Sequence, residues 1–313
     1  MKNRLYKVLM VSLAISLVLC FSTVCRTAVE EEVQSSIEIT DQMGRTVILE
    51  KVPERIVSLA PTNTEILYAL GLGDKVVGVT KYCDYPGEAQ GKPNIGGFST
   101  PNLEEIVALS SDLVIAAPRH VDEIIPQLEE KGLTVYGLNP KTLDTILEAI
   151  TLLGDITGSE DEASRLVVDM ESRIEAVTDK ISSLTEEEKP SVFYLTWHDP
   201  LKTSGSGSLI NELIEKAGGK NIYSDVSGTQ TIDLETLVAR NPQVMIAGIG
   251  MGSGEDKTLQ YILGESRLEN TEAGKNGYIY GIDMDLTGRG GPRIVDGLEQ
   301  FARCIHPDIF GQP

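Results

Sequence analysis

The chain has 313 residues, and since a typical domain has roughly 150 residues, we expect two domains. Hydrophobic residues make up 41% of the chain and charged residues 24%, a composition that can bury a sizeable core. The formal charge of −20 repels phosphate groups. Nucleic-acid binding and polybasic membrane binding are therefore excluded as first interpretations.

Residues 1–36 have the pattern of an export signal followed by a polar tether. Three basic residues precede an apolar run over 8–21, as in a secretory signal. Cys20 and Cys25 lie at the end of this run and are candidates for lipidation, although neither follows a clean lipoprotein cleavage box. An uncleaved anchor helix is the alternative. We expect a protein exported from the cytoplasm and tethered to the outer face of the cytoplasmic membrane.

Short β-branched runs alternate with helical patterns after the tether. We predict strands at 56–59, 76–79, 113–116 and 134–136, and helices at 66–70, 103–108 and 121–131. Thr62 and Glu65 have the spacing of a capping box that opens the first helix. This alternation predicts a mainly parallel α/β sheet.

The strongest helical pattern of the chain follows this first α/β segment. Apolar residues recur at spacings of three and four from Ala163 to Leu184. We assign residues 158–189 to a single long helix that joins an N-terminal lobe, residues 37–157, to a C-terminal lobe, residues 190–313.

An internal repeat relates the two predicted lobes. The segment Asn102–Ala108 and the strand that follows it recur as Asp233–Ala239 and a second strand. A weaker echo aligns Glu65 with Glu212. Two lobes of related architecture explain the repeat, and the alternative is the general likeness of any two helix–strand units.

The sequence lacks the motifs of common enzymes. It contains no Walker A loop, dinucleotide fingerprint or nucleophile elbow. His120 and His198 each follow a predicted strand and could reach a cleft, whereas His306 is expected at the surface. Their spacing does not indicate a zinc site. Cys83 and Cys304 either pair or remain free thiols. We predict no catalytic residues, no bound metal and no enzymatic activity.

The stretch from Arg55 to Gly71 resembles the substrate-binding proteins of cobalamin and iron–siderophore ABC importers. The resemblance continues over 77–86, 96–99, 101–104, 203–205, 218–222 and 291–293. It implies an α/β fold of two Rossmann-like lobes with mainly parallel sheets. A single long α-helix would join the lobes, and the ligand cleft would lie between them.

Within this family, residues 81–86 are most similar to the cobalamin-binding branch. The resemblance implies that Tyr82 contacts the corrin ring and that Phe98 stands where that branch places a tryptophan. It also implies that Asp285 and Arg289 are polar residues at the rim of the cleft. Aromatic faces and polar tips suit a planar macrocycle that carries amide arms.

Other positions leave the ligand open. Trp197 lies near another aromatic position of the cobalamin branch, and His198 follows it, so both are candidate ligand contacts. Ala117 and Thr229 replace two tryptophans of that branch. The less aromatic pocket leaves room for an iron(III)–siderophore or haem, and an anionic siderophore would favour Arg119 and Arg289 as contacts.

Glu104 and Glu235 match the two glutamates, one in each lobe, with which the family docks on the membrane permease. Each glutamate opens a short predicted helix, so stabilisation of the helix N-terminus is the alternative role. The repeat pairs the two residues, as contact with two equivalent permease subunits would require.

We therefore predict a monomeric, exported solute-binding protein that delivers a cobalamin-like corrinoid to the permease dimer of an ABC importer. The alternative ligand is an iron(III)–siderophore or haem. An extracellular metal-dependent hydrolase on the same scaffold, and a sensory protein without a transporter, are more distant alternatives. No nucleic acid is expected as a partner, and only the N-terminal anchor should contact the membrane.

Overall fold

The computed structural model describes residues 36–250 and 256–313. The predicted export signal and tether, residues 1–36, lie outside the described residues apart from Ser36, and so do Cys20 and Cys25. Residues 36–313 belong to one unit. Within the described ranges, no helix combines the length and the apolar character that a membrane span requires.

An antiparallel hairpin precedes the first sheet. It pairs β1 (Ile37–Thr40) with β2 (Thr46–Leu49). Asp41 closes the turn by accepting the backbone N–H groups of Met43 and Arg45. The other carboxylate oxygen of Asp41 accepts the N–H of Gly137 at 3.0 Å, which attaches the hairpin to the sheet.

The N-terminal lobe is built on a four-stranded, fully parallel sheet of order β4-β3-β5-β6. Its strands are β3 (Ile56–Ser58), β4 (Val76–Val79), β5 (Leu113–Ala116) and β6 (Val135–Gly137). Its helices are α1 (Pro61–Ala69), α2 (Leu103–Ala108) and α3 (Ile124–Glu130). Strand β5 is buried along its whole length, as expected for a parallel strand covered on both faces. The predicted alternation of strands and helices is confirmed.

Two consecutive helices lead to the second lobe. Helix α4 (Leu143–Thr157) ends at Gly158, whose φ of +69° is left-handed, and α5 (Glu160–Ile181) follows at once. A Cβ on Gly154 would lie 2.5 Å from that of Ala163, so glycine permits the close approach of α4 and α5. Helix α5 is shorter than the predicted 158–189, because a turn at Ser182 ends it.

The C-terminal lobe contains a six-stranded sheet of order β10-β8-β7-β11-β12, with β9 beside β7. Its strands are β7 (Ser191–His198), β8 (Leu201–Ser204), β9 (Lys220–Asn221), β10 (Thr229–Thr231), β11 (Val244–Ile249) and β12 (Ile279–Asp283). Its helices are α6 (Leu209–Lys216), α7 (Leu234–Arg240), α8 (Lys257–Gly264), α9 (Glu272–Asn276), α10 (Met284–Thr287), α11 (Ile294–Ile305) and α12 (Pro307–Phe310). Strands β9, β7, β11 and β12 are parallel. Strand β8 pairs antiparallel with β7, and β10 pairs antiparallel with β8.

The structure confirms that the sequence repeat corresponds to equivalent units. Strand β5 lies between parallel strands β3 and β6, and β11 lies between parallel strands β7 and β12. Helices α2 and α7 precede these central strands, with Asn102 and Asp233 as their N-caps. The two lobes therefore share one β-sheet topology as well as one sequence pattern.

One apolar core cluster contains residues of both sheets and of α5. Ala163, Met170 and Val177 of α5 lie in this cluster together with Ile56 of β3 and Tyr194 of β7. Two further clusters cover the opposite faces of the two sheets. Since the joining helix is part of the shared core, the lobes are packed against a common element and are not merely tethered.

Two side chains, Arg173 and Glu212, add polar contacts that join the lobes. Arg173 of α5 contacts Asp296 at 2.5 Å and Glu299 at 2.9 Å, both on α11. Glu212 of α6 accepts the backbone N–H of Leu143, the first residue of α4, at 3.0 Å. Burial raises the pKa of Glu212, although the N–H of Leu143 lowers it.

The structure also corrects the prediction for His306 and decides between the two alternatives for Cys83 and Cys304. His306 is buried, not at the surface, and its Nε2 lies 3.0 Å from the carbonyl oxygen of Gly218. It ends α11 and turns inward because Pro307 starts the next helix. Cys83 and Cys304 are both buried free thiols, so they are not paired with each other.

Candidate functional site

A cleft of about 740 Å³ is lined by the N-terminal lobe and by one loop of the C-terminal lobe. Residues that follow the carboxyl ends of all four parallel strands contribute to it, and the C-terminal lobe contributes the loop after α10. The lining residues are 60–63, 81–82, 97–100, 117–118, 138–140 and 288–290. The carboxyl edge of a parallel sheet is where α/β folds bind ligands, so this cleft is the candidate binding site.

Tyr82 and Phe98 supply aromatic rings to the cleft. Tyr82 is 51% exposed, and Nζ of Lys81 lies 5.0 Å from the centre of its ring. Phe98 is half-buried and meets His120 edge to face, with 5.1 Å between ring centres. Both rings can therefore present apolar surface to a ligand.

His120 contacts Phe98 through its ring and through a hydrogen bond to the Phe98 backbone. It is fully buried, and its Nε2 donates to the carbonyl oxygen of Phe98 at 2.6 Å while its Nδ1 accepts the N–H of Ala117 at 3.0 Å. Burial lowers the pKa of His120, and the nearby Arg119 lowers it further, against the effect of the hydrogen bond to Phe98. A neutral imidazole with one donor and one acceptor satisfies both contacts.

Arg289 joins the cleft to a cluster of carboxylates. Its Nη1 lies 3.0 Å from Oε1 of Glu65 and 2.7 Å from Oδ1 of Asp84, and its Nη2 lies 2.8 Å from Oδ2 of Asp285. Glu65 also accepts from Arg293, at 2.9 Å from Nε and 2.6 Å from Nη2. The side chain of Glu65 is only 2% exposed, so this carboxylate is a buried link between the two lobes.

The arginine affects its partners differently. Burial opposes ionisation of Asp84, but the hydrogen bond and charge of Arg289 outweigh it and lower the pKa of Asp84. For Asp285, burial together with the charges of Asp283 and Asp84 outweighs Arg289, and its pKa is raised.

From the sequence, Glu65 is assigned to a capping box with Thr62, and its contact with the other lobe is therefore missed. The structure does not contain this capping box. Helix α1 starts earlier, at Pro61, with Ala60 as its N-cap and no side-chain cap. Proline is favoured in the first turn of a helix. Glu65 is therefore free to cross to the C-terminal lobe, and no spacing within the sequence signals a partner 224 positions away.

Four of the predicted contacts, Trp197, His198, Arg119 and Asp285, are not part of the cleft lining. Trp197, 39% exposed, donates from Nε1 to the carbonyl oxygen of Asp199 at 2.7 Å. The ring of His198 lies tilted against Trp197 and Tyr261, with ring centres 5.1 Å and 6.4 Å away, and its buried Nδ1 has no hydrogen-bond partner among the described residues. Arg119 is exposed beside the lining residue Pro118. The structure therefore brings together Tyr82, Phe98, Arg289 and, through Arg289, Asp285.

The two positions where tryptophan is replaced also differ. Ala117 lines the cleft, whereas Thr229 lies exposed on β10, outside the lining. Across residues 36–250 and 256–313, no three side chains of His, Cys, Asp or Glu come together as a group that could hold a metal ion.

Glu104 and Glu235 are both exposed in the first turn of their helices. The caps are made by Asn102, which accepts the N–H groups of Glu104 and Glu105, and by Asp233. Glu235 contacts Nη1 of Arg267 at 3.0 Å, whereas Glu104 has no ion-pair partner among the described residues. Neither glutamate is needed as an N-cap, and both carboxylates are accessible.

Two α/β lobes, a single joining helix and a cleft between the lobes define a two-lobe binding protein. The chain belongs to the periplasmic binding protein family, whose profile matches residues 56–286. The family membership and the fold class predicted from the sequence are therefore confirmed.

Individual relatives extend this likeness over most of the chain. This chain is 34% identical over 279 residues to the uncharacterized ABC transporter substrate-binding lipoprotein YvrC of Bacillus subtilis. The match covers 88% of this chain and 87% of the relative. The solved periplasmic vitamin B12-binding protein BtuF of Vibrio cholerae matches with a TM-score of 0.69 and 28% identity, over 81% of this chain and 97% of that one. The periplasmic heme-binding protein RhuT from Roseiflexus matches with a TM-score of 0.70 and 27% identity, over 81% and 98%.

Proposed function

We propose that the protein binds a cobalamin-like corrinoid between its lobes and delivers it to the permease of an ABC importer. The observation that carries this proposal is the pairing of two aromatic rings, Tyr82 and Phe98, with polar groups in one interlobe cleft. Such a cleft suits a flat macrocycle that has amide-bearing edges. The likeness to the vitamin B12-binding protein supports the same ligand class.

Haem or an iron(III)–siderophore is the second candidate ligand. The likeness to the heme-binding protein RhuT favours it, and the same two rings could contact a porphyrin. The family consists of binding proteins, which supports a role in transport and not in catalysis.

Cyanocobalamin should bind the wild-type protein, and Tyr82→Ala and Phe98→Ala should each weaken binding about fivefold, because each removes a ring contact worth ~1 kcal/mol. Isothermal titration calorimetry measures the affinities. Tyr278→Ala is the matched control, since Tyr278 is an exposed aromatic residue outside the cleft. Absence of binding at micromolar cyanocobalamin, with binding of haemin or a ferric siderophore, would replace the first ligand by the second.

We also propose that Glu104 and Glu235 dock the two lobes on the two subunits of a permease dimer. Their exposure and their equivalent positions in the repeat support this role. Arginines on the permease would complement these charges, and charge complementarity mainly sets the rate and specificity of association.

Double charge reversal, Glu104→Lys with Glu235→Lys, should reduce ligand uptake by cells at least about tenfold, because like charges would then face each other. Glu105→Lys makes the same exchange at an exposed neighbouring position and serves as the control. Unchanged uptake in the double variant would remove the docking role.

Residues 1–36 complete the proposal as the export signal and tether, with Cys20 or Cys25 as the lipidated residue. We retain 37–157, 158–189 and 190–313 as the proposed boundaries of the N-terminal lobe, the joining segment and the C-terminal lobe.

The protein would act as a monomer on the outer face of the cytoplasmic membrane. The name of the Bacillus subtilis relative, a substrate-binding lipoprotein, supports this location.

A further inference from the structure

The carboxylates around Arg289 leave this cation with little capacity for a charged ligand. Arg289 lines the cleft, and its side chain is 15% exposed. Both of its terminal nitrogens are already engaged, Nη1 by Glu65 and Asp84 and Nη2 by Asp285. A ligand carboxylate would have to use the remaining N–H groups, on Nε and Nη2, or displace one of these internal partners.

The net charge of the cluster also disfavours a ligand carboxylate. Arg289 and Arg293 contribute two positive charges, and Glu65, Asp84 and Asp285 contribute three negative charges. The cluster therefore carries a formal charge of −1 beside the cleft. An additional anion at this position would meet net repulsion, which is strong where solvent screening is reduced.

Two other cations near the cleft do not reverse this balance. Lys81 lines the cleft but is exposed to solvent, where salt and water screen a single ammonium group. Arg119 is exposed and lies outside the lining. Arg289 is thus the partly buried cation of the cleft lining, and its surroundings determine whether a ligand carboxylate at this edge binds favourably.

Neutral amide groups fit the same cluster without displacing anything. A carboxylate offers about four acceptor positions, and Asp84 and Asp285 each use one oxygen on Arg289. The side chains of Asp84 and Asp285 are 51% and 40% exposed, so solvent reaches both carboxylates beside the cleft, although neither of them lines it. The N–H groups of an amide side chain can donate to the remaining positions.

Resting on the corrinoid-binding function proposed above, we propose that Asp84 is a specificity-determining residue. By holding Arg289 together with Glu65 and Asp285, it makes the cleft select macrocycles whose edge groups are uncharged amides over macrocycles whose edge groups are carboxylates.

Two corrinoids that differ in these groups test the selection. Cobinamide carries amide side chains, and cobyrinic acid carries carboxylates at the corresponding positions. The wild-type protein should bind cobinamide at least about tenfold more tightly in calorimetry, because the cluster repels carboxylates. In Asp84→Asn this preference should fall about tenfold, since the cluster loses its excess negative charge while the amide oxygen of the new side chain can still accept from Arg289.

Asp169→Asn makes the same chemical change at an exposed position of α5 and should leave the preference unchanged. Equal affinities of the wild-type protein for the two corrinoids, or an unchanged preference in Asp84→Asn, would overturn the selection while leaving corrinoid binding intact. A wild-type protein that binds neither corrinoid would instead overturn the proposed function, and the selection with it.

Discussion

Replacing Glu65 with alanine should lower the free energy of unfolding by about 3 kcal/mol. Removing one partner of a buried ion pair typically costs about 3–5 kcal/mol, because the remaining charge is left uncompensated. The lower end applies here, since the side chains of Arg289 and Arg293 remain 15% and 18% exposed. Arg293 would be affected most, because the structure gives it no other carboxylate partner among the described residues.

Urea denaturation followed by circular dichroism measures this change. Glu104→Ala is the matched control, because Glu104 is exposed and its replacement should change the free energy of unfolding by less than about 0.5 kcal/mol. A loss below about 1 kcal/mol for Glu65→Ala would mean that the cluster behaves as a surface ion pair.

Replacing Gly290 with alanine should separate the lobes where they line the cleft. A Cβ on Gly290 would lie 2.6 Å from the carbonyl oxygen of Pro140, and both residues line the cleft from opposite lobes. Backbone atoms cannot rotate away, so the loop after α10 must move. Overpacking of this kind costs about 1–3 kcal/mol, and ligand affinity should fall at least about tenfold.

The neighbouring glycine provides the comparison. A Cβ on Gly291 would meet only ordinary contacts, the nearest of them 3.6 Å away on Glu65. Gly291→Ala should therefore change stability and affinity much less than Gly290→Ala, as measured by urea denaturation and calorimetry. Equal effects of the two substitutions would contradict a steric role for Gly290.

Local patterns predicted most of the fold. Strands β4 and β5 and helix α2 have the predicted bounds, because buried β-branched runs and N-capping residues act within a few positions of each other. Helix α4 was not predicted, and α5 was predicted too long. The apolar spacing continues to Leu184 although the helix stops at Ile181, since the turn at Ser182 depends on local hydrogen bonds that periodicity does not reveal.

The site was less predictable, because its contacts join distant parts of the chain. The resemblance pointed to Tyr82, Phe98 and Arg289, and all three line one cleft. It could not reveal that Glu65 and Asp84 hold Arg289, since those contacts span 224 and 205 positions. Nor could it place Trp197 outside the lining, where a shift of pairing register between Leu195 and Trp197 alters the end of β7.

Glu65 and Glu212 occupy equivalent places in the two halves, and each sends its carboxylate across to the other half. Together with the shared core, these two contacts fix the arrangement of the lobes through the protein's own residues. We therefore expect the entropic cost of ordering the two lobes to fall on folding and not on ligand binding. Ligand entry then needs no slow closing step, so differences in affinity between ligands should arise mainly from how long each stays bound.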